Sequence, residues 1–130
     1  MTVYDSSRKK RSRVKLQDSE LKVMDVLWRE GDIPARRIAE VLEEKVGWKI
    51  NTTYTLIHRC VNKGAIERRE PGFVCHALFS CEQARREEAE VLVDKLFEGS
   101  AALLFASLVN GKKLASEEIE RLRGLIDAMK

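Results

Sequence analysis

The segment from Trp48 to Leu78 constrains the fold more than any other part of the chain. It begins with residues at helical spacing that Gly64 closes, and continues as two short strand-like stretches around Pro71-Gly72. One side of the predicted helix carries Thr53, Leu56, Ile57 and Cys60, and the other carries Asn51, Thr52, Thr55, His58, Arg59 and Asn62. Short hydrogen-bonding side chains and a guanidinium suit the floor of a DNA major groove. The segment therefore predicts a recognition helix followed by a wing.

Two further helices are predicted before this segment. The first is capped by Asp18 or Ser19 and stopped by Gly31, and its apolar side is formed by Leu21, Met24, Val26, Leu27 and Trp28. Asp32, Ile33 and Pro34 open the second, which ends at Gly47 and whose apolar stripe is Ile38, Val41, Leu42 and Val46. The order helix, short bridge, helix, turn, helix, strand, strand predicts a mainly α fold with a small β-wing, the winged helix-turn-helix.

The remainder of the chain has a purely helical pattern. Ser80 with Gln83 resembles a capping box, and the helix that follows runs to Glu98 and is terminated by Gly99. Ser100 starts a short, almost wholly apolar helix, and Ser116 caps a last one. Three short helices cannot enclose this much apolar surface alone, which predicts an isologous homodimer. The expected dimerisation residues are Val91, Leu92, Leu96, Leu103, Leu104, Phe105, Leu108, Leu122, Leu125 and Ile126.

Charge is distributed unevenly along the chain. Residues 1–15 carry a net charge of +5, residues 16–81 a net charge of 0, and residues 82–130 a net charge of −2. We expect three parts: a basic disordered arm over 1–15, a winged-helix DNA-binding domain over 16–81, and a helical dimerisation domain over 82–130. The arm either touches DNA phosphates or is only a solubilising leader. With no signal peptide and no apolar stretch of membrane length, the protein is expected to be soluble and cytoplasmic.

No enzyme, cofactor or metal site is predicted. Phosphate-binding loops, HExxH and GxSxG motifs are absent from the sequence. The three cysteines, Cys60, Cys75 and Cys81, lack CxxC spacing, which argues against a disulfide framework. Cys60 is expected to be a small core residue. Cys75 and Cys81, with His76, leave open a thiol or metal sensor as an alternative function.

The chain from about Leu16 to Lys130 resembles the penicillinase-repressor family (BlaI/MecI/CopY type). The resemblance rests on VMDVLW in the first helix, WxxNTTYTLIxR in the third, KGAIERR entering the wing, and LFASLV and EEIERLRGLI near the end. It implies a homodimeric transcriptional repressor that binds an inverted-repeat operator in double-stranded DNA. A dimeric winged-helix module that binds a protein partner is a further alternative.

The resemblance also implies roles for individual residues. Its operator-contacting positions correspond to Asn51, Thr52, Tyr54, Thr55, His58 and Arg59, while Arg68 and Arg69 belong to a wing expected to clasp phosphates. Asn51 and Tyr54 replace basic residues of the staphylococcal members. Many members are released by a small inducer or by a sensor protease that cuts an Asn-Phe bond, and this chain has Ser107-Leu108 at the matching place.

Overall fold

The structure, a computed structural model, describes residues 14–129 as six α-helices and three short β-strands. In chain order these are α1 (Asp18–Glu30), β1 (Ile33–Pro34), α2 (Ala35–Val46), α3 (Ile50–Lys63), β2 (Ile66–Arg69), β3 (Val74–Ala77), α4 (Cys81–Leu96), α5 (Ala101–Asn110) and α6 (Ser116–Ala128). The contacts divide the chain into a first unit ending at Arg86 and a second unit beginning at Glu87. Most of the predicted basic arm lies outside the described residues.

Helix α1 begins one or two residues earlier than the sequence predicts. Its N-cap is Gln17, whose backbone is extended, and not Asp18 or Ser19; the backbone N–H of Gln17 donates to the carboxylate of Glu20 at 2.7 Å. The predicted buried side is also partly wrong: Leu21 is 37% exposed. Met24, Val26 and Leu27 are buried as predicted, and Glu20, four residues before Met24, faces the core with them. The carboxylate of Glu20 is therefore buried, whereas Leu21, which the apolar pattern predicts to be buried, is exposed.

The predicted start of the second helix is also wrong. Ile33 and Pro34 form β1, which pairs antiparallel with β3, and α2 starts at Ala35. Pro34 keeps the preceding residue extended and has no N–H to donate, so the pair suits a sheet edge. The sheet order is β1-β3-β2. At the other end of α2, Gly47 ends the helix in the left-handed conformation as predicted, whereas Val46 is 42% exposed and outside the core.

The core of the first unit lies where α1, α2 and α3 meet the sheet. Its most deeply buried side chains come from all four of these parts: Val23, Met24, Leu27, Ile38, Ile57, Cys60, Ile66 and Cys75. Trp28 borders this core and its indole N–H donates to the carbonyl of Phe79 at 2.9 Å. The three helices and the wing are thus fixed by one continuous apolar cluster.

The second unit consists of most of α4 together with α5 and α6. At the start of α4, Ser80 and Gln83 exchange hydrogen bonds as predicted, and the hydroxyl of Ser100 accepts from the N–H of Leu103 at the start of α5. Ser116 is the first residue of α6 and not its cap; Ala115 is the N-cap. Within residues 14–129, α4, α5 and α6 contain no buried residue. No helix in this part of the chain is both long and apolar enough to cross a membrane.

Candidate nucleic-acid interface

Helix α3 has the two-sided character that the sequence predicts. Thr53, Leu56, Ile57 and Cys60 are buried, which confirms the predicted stripe. On the other side, Asn51, Thr52, Thr55, His58 and Arg59 are exposed and Tyr54 is half-buried. The hydroxyl of Thr55 donates to the carbonyl of Asn51 at 3.1 Å, so its oxygen lone pairs and its methyl group remain available to a partner. Helix α3 therefore has a polar, solvent-exposed side opposite the apolar side that packs into the core.

The far end of α3 is fixed by a partly buried ion pair. The Nζ of Lys63 donates to Glu20 at 2.6 Å and to the carbonyl of Lys15 at 2.9 Å, and Glu20 is only 1% exposed. Burial acts to raise the pKa of Glu20, but hydrogen bonds from Gln17 and Lys63 and the charges of Lys63 and Arg59 outweigh it and lower the pKa. Glu20 is thus ionised and is joined through Lys63 to α3, while Lys63 also contacts the chain before α1.

The wing arginines are already paired with carboxylates. Arg68 forms an ion pair with Glu70, and Arg69 contacts Glu67 at 2.7 Å and Asp32 at 3.3 Å. The hydrogen bond from Arg68 lowers the pKa of Glu70. Within β2 and the start of the turn, two cations are therefore balanced by two anions, which weakens the case for a phosphate-clasping wing.

Asp32 makes a second set of polar contacts, which the sequence did not predict. Its carboxylate lies 2.9 Å from Nδ1 of His76 as well as within reach of Arg69. These side chains come from the loop before β1, from β3 and from β2. The contact links the loop before β1 to β3 and β2 on one face of the sheet, and only the strand order brings the three residues together.

Phe73 is the wing residue that the sequence analysis missed most clearly. Its ring lies 6.1 Å from the ring of Tyr54 and 5.4 Å from that of His58, and the guanidinium carbon of Arg68 is 3.7 Å from the ring centre. The only sequence signal was an aromatic residue directly after a Pro-Gly turn. The structure thereby brings together three of the predicted site residues around a fourth residue that was not predicted.

The cysteines are poorly placed for thiolate chemistry. Cys60 and Cys75 are fully buried, and burial raises the pKa of Cys60 to about 12 and that of Cys75 to about 11. Cys81 is half-buried at the start of α4. No three His, Cys, Asp or Glu side chains among residues 14–129 are grouped so that they could hold a metal ion. A thiol sensor acting through Cys75 would first have to expose it.

Comparison with known proteins identifies the family. The family model described as penicillinase repressor matches residues 16–128. The chain belongs to the penicillinase repressor family. The methicillin resistance regulatory protein MecI of Staphylococcus aureus (strain N315) is 25% identical over 114 residues, covering 86% of this chain and 93% of MecI. The penicillinase repressor of Bacillus licheniformis is 22% identical over 117 residues, covering 88% of this chain and 91% of that protein.

A solved structure supports the same assignment. The solution structure of the DNA-binding domain of the repressor BlaI superposes with a TM-score of 0.51 at 25% sequence identity, covering 56% of this chain and 92% of that domain. This likeness confirms the winged-helix fold predicted from the sequence.

Proposed function

We propose that this protein is a transcriptional repressor that binds operator DNA through the exposed face of α3. The observation that carries the proposal is the polar side of α3, which stands on a buried apolar stripe in a fold that resembles the DNA-binding domain of BlaI. A helix of this width fits the major groove of B-DNA. The proposed contact residues are Asn51, Thr52, Tyr54, Thr55, His58 and Arg59. Arg68 and Arg69 in the adjacent wing would contribute only by exchanging their carboxylate partners for DNA phosphates.

The chemistry of these side chains suits base edges. The guanidinium of Arg59 can donate two hydrogen bonds to guanine, and the amide of Asn51 can pair with adenine. The methyl group of Thr55 can pack against a thymine methyl while its oxygen accepts from an exocyclic amine. The side chains lie along one exposed side of α3, so they would meet neighbouring base pairs in a single groove.

The proposal includes a homodimer held by residues 82–130. Large apolar side chains are exposed on all three helices of this region, among them Leu96, Phe105 and Leu125. A second copy of the chain would cover them, and the twofold axis would match an inverted-repeat operator. The proposed contacts are Val91, Leu92, Leu96, Leu103, Leu104, Phe105, Leu108, Leu122, Leu125 and Ile126. In this scheme residues 16–81 bind DNA and residues 1–15 add electrostatic affinity.

We propose that the signal that releases the protein from DNA acts on the same dimer region. Ser107 is exposed and Leu108 is half-buried near the end of α5. A sensor protease that cuts here, or an inducing ligand that separates the helices, would remove the link between the two winged helices. Two linked modules bind far more tightly than one because the second binding event is intramolecular.

Selection of DNA by the full-length protein from a random pool tests the proposal. We expect enrichment of an inverted repeat, followed by a loss of about 1–3 kcal/mol of binding free energy for Thr55→Ala and for Arg59→Ala. Arg121→Ala is the matched control for Arg59→Ala, because it removes the same charge from an exposed position on α6.

Two results would count against the proposal. A pool that shows no enrichment would favour a protein-interaction module. Well-folded Thr55→Ala and Arg59→Ala proteins with the parent's operator affinity would remove α3 from the interface.

A further inference from the structure

Phe73 has a backbone conformation that an aromatic residue rarely adopts. Its φ angle is +50°, in the left-handed region that glycine and asparagine tolerate best. Bulky residues remain in that region only where surrounding contacts hold them, and such residues are concentrated at functional sites. The contacts of Phe73 therefore need an explanation beyond turn formation.

Three elements of the winged helix are joined at this one residue. Its ring contacts α3 through Tyr54 and His58, and β2 through the guanidinium of Arg68. Its carbonyl accepts a hydrogen bond of 2.9 Å from the N–H of Ala35, the first residue of α2. Phe73 thus ties the wing both to the recognition helix and to the helix that precedes it.

The two α3 residues at the ring are neighbours on the helix surface. Tyr54 and His58 are four residues apart, so their side chains lie one above the other on the side of α3 that faces the wing. Aromatic contacts with Phe73 restrict the rotamers of both rings. A side chain that is already oriented loses less entropy when it binds a base edge.

The ring of Phe73 also contacts Arg68, one of the two arginines of the wing. The guanidinium of Arg68 lies over the face of Phe73 and is also paired with Glu70. A cation held between a ring face and a carboxylate is less available for a DNA phosphate. The wing would then contribute to binding mainly by positioning side chains of α3, and less through the wing's own charge.

We propose that Phe73 is a positioning residue for operator recognition, which holds the wing against α3 and orients Tyr54 and His58 toward the bases. This inference rests on the proposed function, because it assigns a role within the same DNA interface. Phe73 acts through its two neighbours and needs no contact with DNA of its own.

Four variants of the full-length protein test the inference. Phe73→Leu removes the ring but keeps an apolar side chain, and Phe73→Asn removes the ring while accepting the left-handed backbone, so it protects the test against misfolding. Phe73→Tyr keeps the ring and should restore function. Leu78→Ala is the control, because it removes an exposed apolar side chain just beyond β3 that makes none of these ring contacts.

The first measurement needs no DNA. Proton NMR should show the ring signals of Tyr54 and His58 displaced by the nearby Phe73 ring in the parent and in Phe73→Tyr. We expect that displacement to disappear in Phe73→Leu and Phe73→Asn. Unchanged signals in both ring-less variants would overturn the inference, whatever the protein does with DNA.

The second measurement is the ratio of operator affinity to affinity for unrelated DNA. Loss of the ring should reduce this ratio roughly five- to a hundredfold, the discrimination that one well-placed base contact supplies. In a Tyr54→Ala, His58→Ala background the same Phe73 substitutions should change it little, because the residues through which Phe73 acts are gone. A merely structural role would cost the same in both backgrounds.

The outcomes separate this inference from the proposed function. If the parent selects an operator and the ring-less variants keep its full selectivity, the inference is wrong and the repressor assignment stands. If the parent selects no sequence at all, the proposed function fails and the inference falls with it.

Discussion

The two units of this chain have similar apolar patterns on their helices but differ in how far they bury them. In the first unit, Leu27 is 1% exposed and is surrounded by side chains of the same chain. In the second unit, Leu125 lies on an equally regular helical stripe and is 63% exposed. Helical periodicity shows which side of a helix is apolar, but it does not show what will cover that side.

The difference follows from what faces each stripe within one chain. The stripes of α1, α2 and α3 converge on one another and on the sheet, so the first unit closes its own core. The described residues of α4, α5 and α6 bury nothing fully. We therefore expect the first unit to be stable by itself and the second to depend on a second copy of the chain.

The largest effect should come from a cavity in the first unit. Ile57→Ala removes three carbons from a fully buried side chain and should lower the free energy of unfolding by roughly 2–5 kcal/mol. Leu125→Ala removes an exposed side chain and should change the unfolding of the first unit by less than about 0.5 kcal/mol. Denaturant titration followed by the fluorescence of Trp28 and Trp48, both in the first unit, provides the measurement.

Protein concentration sharpens this test. The unfolding midpoint of Ile57→Ala should vary with protein concentration only as much as that of the parent does. Leu125→Ala, by contrast, should weaken self-association. Equal losses for the two variants by tryptophan fluorescence would show that the units share one cooperative core and would break the comparison.

The parts of the fold that the sequence predicted are those that depend on local pattern. The buried stripe of α3 follows from the spacing of Thr53, Leu56, Ile57 and Cys60, and Gly31 and Gly47 end their helices as expected. Ser80 and Ser100 likewise cap the helices that follow them. In each case the residues that decide the structure lie within a few positions of one another.

The parts that the sequence did not predict depend on distant partners. Ile33 and Pro34 form a strand only because β3 lies beside them. Glu20 faces the core and is paired with Lys63 of the distant helix α3, while its neighbour Leu21 is exposed. Phe73 becomes central to the candidate site through contacts with α3 that no local pattern reveals. A single sequence carries little information on such pairings.

The second-largest effect should come from a charge placed in the second unit. Leu104→Asp would put a carboxylate on the half-buried side of α5, and a partner chain would have to bury it without a counter-ion. We expect loss of the proposed dimer and a reduction in operator affinity of about a hundredfold, because half-site binding lacks the linked second module. Sedimentation of the variant beside its operator titration measures both quantities.

Asn110→Asp is the control for this charge. It places a carboxylate on the same helix at an exposed polar position, so dimerisation and operator affinity should stay close to those of the parent. A Leu104→Asp protein that remains dimeric and binds the full operator as tightly as the parent would show that α5 does not hold the repressor together.

The smallest effect compares one ion pair from each unit. Glu20 is buried and bonded to Lys63 and to the N–H of Gln17, whereas Glu120 contacts Arg123 at 3.1 Å with both side chains exposed. Glu20→Gln keeps the shape but removes the charge, and should lower the free energy of unfolding at neutral pH by about 1–2 kcal/mol. Glu120→Gln should leave stability nearly unchanged, because exposed ion pairs contribute little.

The pH dependence separates a loss of charge from a loss of packing at Glu20. The pKa of Glu20 is lower in the folded protein than its ordinary value, so its ionised form stabilises the fold above the pKa of the unfolded chain, about 4.3. That stability is lost as pH falls through the lower pKa of the folded state. The difference between parent and Glu20→Gln should therefore be full near pH 7 and shrink below about pH 4. A difference that stays constant down to the acid limit would mean that the amide disturbs the packing of α1 against α3, and that the charge of Glu20 contributes nothing.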